Sequence, residues 1–297
     1  MSQIKASQVK ELRDKTDAPM MECKKALSEA GGDLKKAEEV LRVKLGSKAG
    51  KTASRITAEG AVSIFVEGQK ACILEVNCET DFVAKNDEFI EFVRNLAEKI
   101  TKLPQDRLTV SDLKQVQYTD DETVEQFRAN LIGKIGENIS IRRFQIKRAE
   151  GSFQSYLHGS KIGVLVDLVG GHQELGKDIA MHIAAMKPKA VNASEIDSEL
   201  IESEKRIAAE KAASSGKPPE IVEKMVAGAV NKYLKEVSLT GQVFVKADDG
   251  KITVGELLSN VGAKVASFEL FTVGEGLEKK SENFAEEVAA TKAASKN

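Results

Sequence analysis

Tryptophan is absent from this chain of 297 residues, and cysteine and histidine occur three times each. Those shortages exclude several chemistries. Cys23, Cys72 and Cys78 form no CxxC pair, and their odd number suits no disulfide framework, so a reducing compartment is expected. With histidines only at 158, 172 and 182, no Cys/His spacing fits zinc. No run approaches the roughly 18 apolar residues of a spanning helix. The first residues enter helical patterning without an apolar signal core or an Arg/Ser-rich transit segment. A soluble, cytoplasmic protein without membrane contact is expected. Charge of one sign is also lacking: 44 Lys and Arg stand against 46 Asp and Glu, a net charge of -2. General nucleic-acid binding needs a strongly basic face, so this balance argues against it, although a local patch stays open.

Catalytic signatures are missing as well. No GxSxG, HExxH or GxGxxG stands in a supporting context. Asp248-Asp249-Gly250-Lys251 reads as a turn without the ligand spacing of a calcium loop. Gly46-Ser47-Lys48-Ala49-Gly50-Lys51-Thr52 imitates a phosphate-binding loop but has three residues between its glycines where that loop has four. No enzymatic step, resident metal or cofactor is expected.

What is present divides the chain. Residues 1–45 read as a three-helix unit. Val9 and Leu12 begin one stripe, Asp17-Ala18-Pro19 breaks it, and Met20, Met21, Cys23, Ala26 and Leu27 form the second. Gly31-Gly32-Asp33 ends that helix and caps a third through Leu34, Ala37, Val40 and Leu41. So thin a core suits a docking module, or else a stabilising cap. Residues 46–57, small and basic, read as a linker.

An internal repeat follows. Ala58-Glu59-Gly60 returns as Ala149-Glu150-Gly151, and Gly68, Lys70 and Leu74 return as Gly159, Lys161 and Leu165. Each copy reads as strand, glycine turn, strand, helix, giving core subdomains over 58–146 and 147–280. Residues 111–136 are expected to be mostly helical and 139–146 a strand, with Arg142 and Arg143 on a solvated outward face. Residues 190–236 interrupt the second copy as two charged helical segments joined by Ser214-Ser215-Gly216-Lys217-Pro218-Pro219. Their few apolar residues, among them Ile196, Leu200, Ile207, Ile221, Met225 and Tyr233, imply a two-stranded coil or packing on a second copy. Residues 243–245 and 266–273 read as strands around a short helix at 254–259. A tail helix over 281–297 carries Phe284 and Val288 on one face. Of the histidines, His182 reads as core, His172 as solvated, and His158 as a turn-tip residue able to reach a partner.

The stretch Asn77 to Asp87 carries the oddest chemistry. An apolar run from Ala71 to Val76 precedes it, and Asn86 caps a helix with Phe89, Phe92, Val93, Leu96 and Ile100 on one face. The connection between them is about four residues longer than its counterpart in the second copy. Thr80-Asp81-Phe82-Val83 falls within that excess. Phe82 is therefore either a local core residue or an exposed wedge, and the absence of a counterpart favours the wedge.

Several long motifs resemble the bacterial translation elongation factor Ts family. They are Val9 to Arg13 with Met20 to Leu27, Glu75 to Ala84, Lys134 to Ile139, His158-Gly159 with Ile162 to Val166, Met181 to Ala185, and Val237 to Gln242. The resemblance implies an α+β fold with an N-terminal three-helix, ubiquitin-associated-like (UBA-like) module. It further implies a duplicated core of antiparallel sheets with helices, an inserted antiparallel helical hairpin used in dimerisation, and a C-terminal helix. The implied activity is guanine-nucleotide exchange on elongation factor Tu, with Thr80, Asp81, Phe82 and Val83 dislodging the partner's magnesium. Implied partner contacts are Val9, Leu12, Met20, Met21, Lys24, His158, Gly159 and Phe284, with a homodimer through the hairpin and no direct nucleic acid. The alternative is a ribosome- or RNA-associated protein without exchange activity.

Overall fold

The structure is a computed structural model and describes residues 4–16, 18–214, 217–247 and 250–277. The expected tail helix with Phe284, and the acids of the 248–251 turn, lie outside the described residues.

The fold is α+β. Helices α1 (Ala6–Thr16), α2 (Met20–Glu29) and α3 (Leu34–Thr52) pack around Leu12, Cys23, Leu27, Ala37 and Leu41. Gly31 and Gly32 take left-handed φ of 64° and 92° to end α2, and the Asp33 carboxylate caps α3 by accepting from the Lys36 N–H at 3.2 Å. The expected linker over 46–57 is corrected here, because α3 runs on to Thr52. Leu41, Leu45, Ala49 and Thr52 are all buried at helical spacing. Small side chains therefore continued a packed stripe where composition read as loop. Leu45 lies against Gly133, where a Cβ would come within 2.5 Å of it.

Two three-stranded antiparallel sheets follow. The first orders β1 (Glu59–Glu67), β2 (Lys70–Cys78) and β3 (Ile139–Arg148); the second orders β4 (Ser152–His158), β5 (Ile162–Val169) and β6 (Lys264–Thr272). Both hairpins turn on a left-handed glycine, Gly68 at φ 59° and Gly159 at φ 57°. Helices α4 (Asp87–Lys102), α5 (Val110–Gln115) and α6 (Val124–Ile135) belong to the first half. Helix α7 (Gln173–Met186), the mutually packed α8 (Ser198–Ala213) and α9 (Pro219–Val237), and α10 (Val254–Asn260) belong to the second. The expected strand over 243–245 is a single bridge between Val243 and Thr253.

Period-two alternation sorts β2 between two environments. Cys72, Leu74, Val76 and Cys78 face the core under α4, where Phe89, Phe92, Leu96 and Ile100 pack. Ile73 points the other way and joins Val62 and Phe271, while Ala71 joins Phe153 and Leu165, so the sheets meet back to back. Glu75 is fully buried in this seam. Its carboxylate accepts from Arg142 Nη1 at 2.8 Å, Arg143 Nε at 2.7 Å and the Gly274 N–H at 2.8 Å. The Arg143 guanidinium lies 4.3 Å from the Phe271 ring centroid. The expectation of a solvated face for Arg142 and Arg143 is thus overturned, because the second sheet covers it.

His182 is fully buried, as expected of a core residue. Nδ1 accepts from the Val245 N–H at 3.2 Å and Nε2 faces Gln242 Oε1 at 3.0 Å, an arrangement for neutral imidazole. Burial pushes its pKa down, against the bond to Gln242.

Helix α7 ends on Lys187, a non-glycine residue at φ 48° and ψ 56°. Left-handed backbone costs a Cβ-bearing residue about 1–2 kcal/mol and glycine gives back about 0.5–1 kcal/mol in unfolded-state entropy, so Lys187→Gly is expected to stabilise by about 0.5–1 kcal/mol. A higher midpoint in denaturant unfolding is the expected reading; an unchanged or lower one would show that the strain is compensated.

Candidate functional site

The site grows from the difference between the two repeats. Residues 170–172 connect β5 to α7, a compact turn with Gly170 and Gly171 at left-handed φ and His172 capping the helix from an exposed position. Residues 79–86 make the same connection between β2 and α4. The excess is five residues, close to the four or so expected, and it carries Thr80 to Val83.

Phe82 is 81 % exposed, the largest exposure among the large apolar side chains described. Its neighbours explain why it does not fold inward. Val83 and Ala84, in a short 3-10 turn over Val83–Lys85, are buried in the core beneath α4. On the other side, Thr80 donates from Oγ1 to Glu137 Oε1 at 2.6 Å and from its N–H to Oε2 at 3.0 Å. Thr80 Oγ1 also accepts from the Val83 N–H at 3.3 Å, and the Cys78 thiol donates to Thr80 O at 3.2 Å. Asn86 caps α4 by accepting from the Phe89 N–H at 3.1 Å. Anchored on both flanks, the loop holds the ring in solvent.

Asp81 is exposed beside Phe82 and pairs with Lys85 Nζ at 2.8 Å. The bond to Lys85 holds its carboxyl below the usual range, and the charge of Lys161 adds to that. Lys161 bonds Glu59, whose register partner is Cys78, at the base of the loop. The β4–β5 turn, with His158 and Gly159 exposed, is thereby held at the same end of the first sheet as Phe82. His158 Nδ1 lies 3.1 Å from the Tyr156 hydroxyl, which orients the ring.

The other predicted contacts divide. Met20 and Met21 are 53 % and 61 % exposed, and Lys24 is exposed one turn later on α2. Val9 and Leu12 do not join them, being buried inside the three-helix unit, so they support the exposed face without contacting anything beyond it. Val83 is likewise an anchor and not a contact surface. Sequence reasoning assigned no role to Glu79, Glu137, Asn138 and Arg55, which brace the loop, although Glu79, Glu137 and Asn138 lie within motifs that carry the family resemblance.

Among the described residues no cluster of His, Cys, Asp and Glu could hold a metal ion, and no helix is long and apolar enough to cross a membrane. A cleft of about 960 Å³ between α3 and the α4–α6 side is lined by charged and aromatic residues such as Lys15, Glu38, Arg42, Glu91 and Tyr118, with no histidine or cysteine.

The chain is similar to known proteins along its whole length. The model of the family described as elongation factor TS matches residues 79–275. Elongation factor Ts of Aromatoleum aromaticum is 59 % identical over 99 % of both chains, and that of Azoarcus sp. is 59 % identical over 99 % of this chain and 98 % of its own. Elongation factor Ts of Burkholderia vietnamiensis is 57 % identical over all of this chain and 99 % of its own. With identity of this level extending across the whole sequence, the chain belongs to the elongation factor Ts family.

Proposed function

We propose that this protein is a guanine-nucleotide exchange factor that binds elongation factor Tu in its GDP form and promotes GDP release so that GTP can rebind, with no chemical step of its own. Family membership supports the partner. The single observation that carries the mechanism is the exposed Phe82 on a loop braced at both ends. An exchange factor must bind the nucleotide-free partner more tightly than the nucleotide-bound one, because only differential affinity shifts the equilibrium. Phe82 is the wedge that selects a displaced packing in the partner, since packed cores repack discretely and do not deform smoothly. Magnesium neutralises phosphate oxygens, so displacing it loosens the nucleotide. Asp81, once released from Lys85, competes for cationic groups around that site. Thr80 and Val83 hold the two in place.

Around this centre, the N-terminal unit acts as a UBA-like docking module through Met20, Met21 and Lys24. The β4–β5 turn adds His158 and Gly159, and the tail adds Phe284. Helices α8 and α9, with Leu200, Ile207, Ile221 and Met225 partly exposed, form an antiparallel hairpin that pairs with a second copy. The setting is the cytoplasm. The RNA-associated alternative loses its basic strand, because Arg142 and Arg143 are committed to Glu75.

Release of labelled GDP from factor Tu, measured with and without the protein, tests the reading. Acceleration by catalytic amounts is expected. An unchanged release rate, alongside salt-sensitive RNA binding, would overturn it in favour of the RNA-associated class.

A further inference from the structure

Two turns meet beneath Phe82 and exchange carboxylates for amides. Glu137, in the turn between α6 and β3, accepts from the N–H groups of Glu79 at 3.2 Å and Thr80 at 3.0 Å, and from the Thr80 hydroxyl at 2.6 Å. Glu79 returns the arrangement: its Oε1 accepts from the Asn138 N–H at 2.6 Å and from Arg55 Nη1 at 3.3 Å. Arg55 Nη1 also donates to Gly136 O at 3.3 Å, and Asn138 Nδ2 donates to Arg55 O at 3.0 Å. Gly136, left-handed at φ 87°, ends α6 and swings Glu137 toward the loop.

Two carboxylates on adjoining turns would repel one another without compensation. Here each is met by backbone N–H dipoles, and Arg55 supplies a formal positive charge. Glu137 has three donors and all of them belong to Glu79 and Thr80, on the β2 side of Phe82. Neither its side chain nor that of Glu79 takes part in the apolar core, which supplies the separate anchor at Val83 and Ala84.

We propose that Glu137 is a positioning residue: its carboxylate fixes the orientation in which Phe82 is presented to the nucleotide-binding partner. The inference rests on the exchange reading above. Without Glu137 the backbone amides of Glu79 and Thr80 and the Thr80 hydroxyl lose their acceptor. The core anchor and the Glu79 contacts to Asn138 and Arg55 remain, and the segment between them samples other directions. Exchange then falls by the fraction of molecules that no longer present the ring. Glutamine keeps one acceptor and loses the charge, so it preserves part of the effect.

The test compares GDP release from factor Tu for the wild type, Phe82→Ala, Glu137→Gln, Glu137→Ala and the double variant Phe82→Ala/Glu137→Ala. Amide hydrogen exchange is followed at Glu79 and Thr80 in the same free proteins. Glu137→Ala is expected to slow release roughly tenfold, the scale of losing a hydrogen-bonded carboxylate, with Glu137→Gln in between. The double variant is expected to be no slower than Phe82→Ala alone. The Glu79 and Thr80 amides lose protection while the strand amides of β2 keep theirs. The inference is overturned if Glu137→Ala slows release by the same factor whether or not Phe82 is present, because that marks a general structural role. It is also overturned if the two amides stay protected, or if Phe82→Ala slows release and Glu137→Ala does not. Should Phe82→Ala itself release GDP at the wild-type rate, the wedge reading fails. The hydrogen-exchange arm then still decides whether Glu137 positions the loop.

Discussion

Phe82→Ala slows factor Tu-dependent GDP release by at least about tenfold while leaving the melting temperature of the free protein within about 1 °C. The first expectation follows from the way interfaces concentrate energy: truncating a central aromatic anchor commonly costs 2 kcal/mol or more, and each 1.4 kcal/mol is tenfold. The second follows from exposure. With 81 % of its surface in solvent, Phe82 contributes almost nothing to the folded core, and surface substitutions usually stay within about 0.5 kcal/mol. Function and stability are therefore expected to separate at this residue. Asp81→Ala is expected to have a smaller effect, because Asp81 must first give up Lys85 before it can serve a partner. Stopped-flow release of a fluorescent GDP analogue, beside thermal unfolding, reads both quantities. A wild-type release rate at equal factor Tu concentration would remove Phe82 from the mechanism. A large fall in melting temperature would mean that the ring packs on the chain and is no wedge.

Much of this architecture was legible because it is periodic. The duplicated glycine turns at Gly68 and Gly159 located both hairpins, and the unequal connections after β2 and β5 marked the loop before any side chain was placed. What escaped was whatever depended on the covering of a face. Strict alternation along β3 would send the adjacent Arg142 and Arg143 to opposite sides. An irregularity opposite Glu75 and Val76, where Arg143 pairs with Glu75 and Ile141 with Val76, lets both reach Glu75 beneath the second sheet, and no spacing in the sequence announces it. The stripe Val9–Leu12 showed a helix with an apolar face, yet an apolar face marks burial as readily as docking. Here Val9 and Leu12 are buried and the methionines of α2 are the exposed apolar residues. Residues 46–52 were misread because small side chains bury well in a close helix contact while looking like linker by composition. Glu137 was the least visible, since a carboxylate accepting backbone amides across a turn leaves no spacing pattern.

Glu75→Gln is expected to produce the largest loss of stability of any single change considered. The carboxylate is fully buried between the sheets and satisfies two guanidiniums and the Gly274 amide. Removing one partner of a buried ion pair typically costs about 3–5 kcal/mol, because the remaining charge is stranded. The lower end applies here. Arg143 retains Glu275 Oε2 at 3.1 Å and the Phe271 ring, Arg142 retains Glu275 O, and both side chains keep partial contact with water. A loss of about 3 kcal/mol lowers the melting temperature by roughly 6–12 °C for a unit of this size. The dependence on pH has a fixed sign. Burial, the largest influence, raises the Glu75 pKa, but the Gly274 amide and the two arginines together outweigh it, and the net shift is downward. A carboxyl depressed in the folded state contributes fully above its unfolded pKa of about 4.3 and loses that contribution as pH falls through the folded value. The stability gap between wild type and Glu75→Gln is therefore widest at neutral pH and narrows below about pH 4.3. Denaturant unfolding from pH 7 to pH 3 measures it, and hydrogen exchange at Gly274 and along β6 shows whether the seam opens first. Equal stability at neutral pH would mean that the arginines hold the two sheets together without the carboxylate. A gap that persists unchanged below pH 4 would place the loss in packing and not in charge.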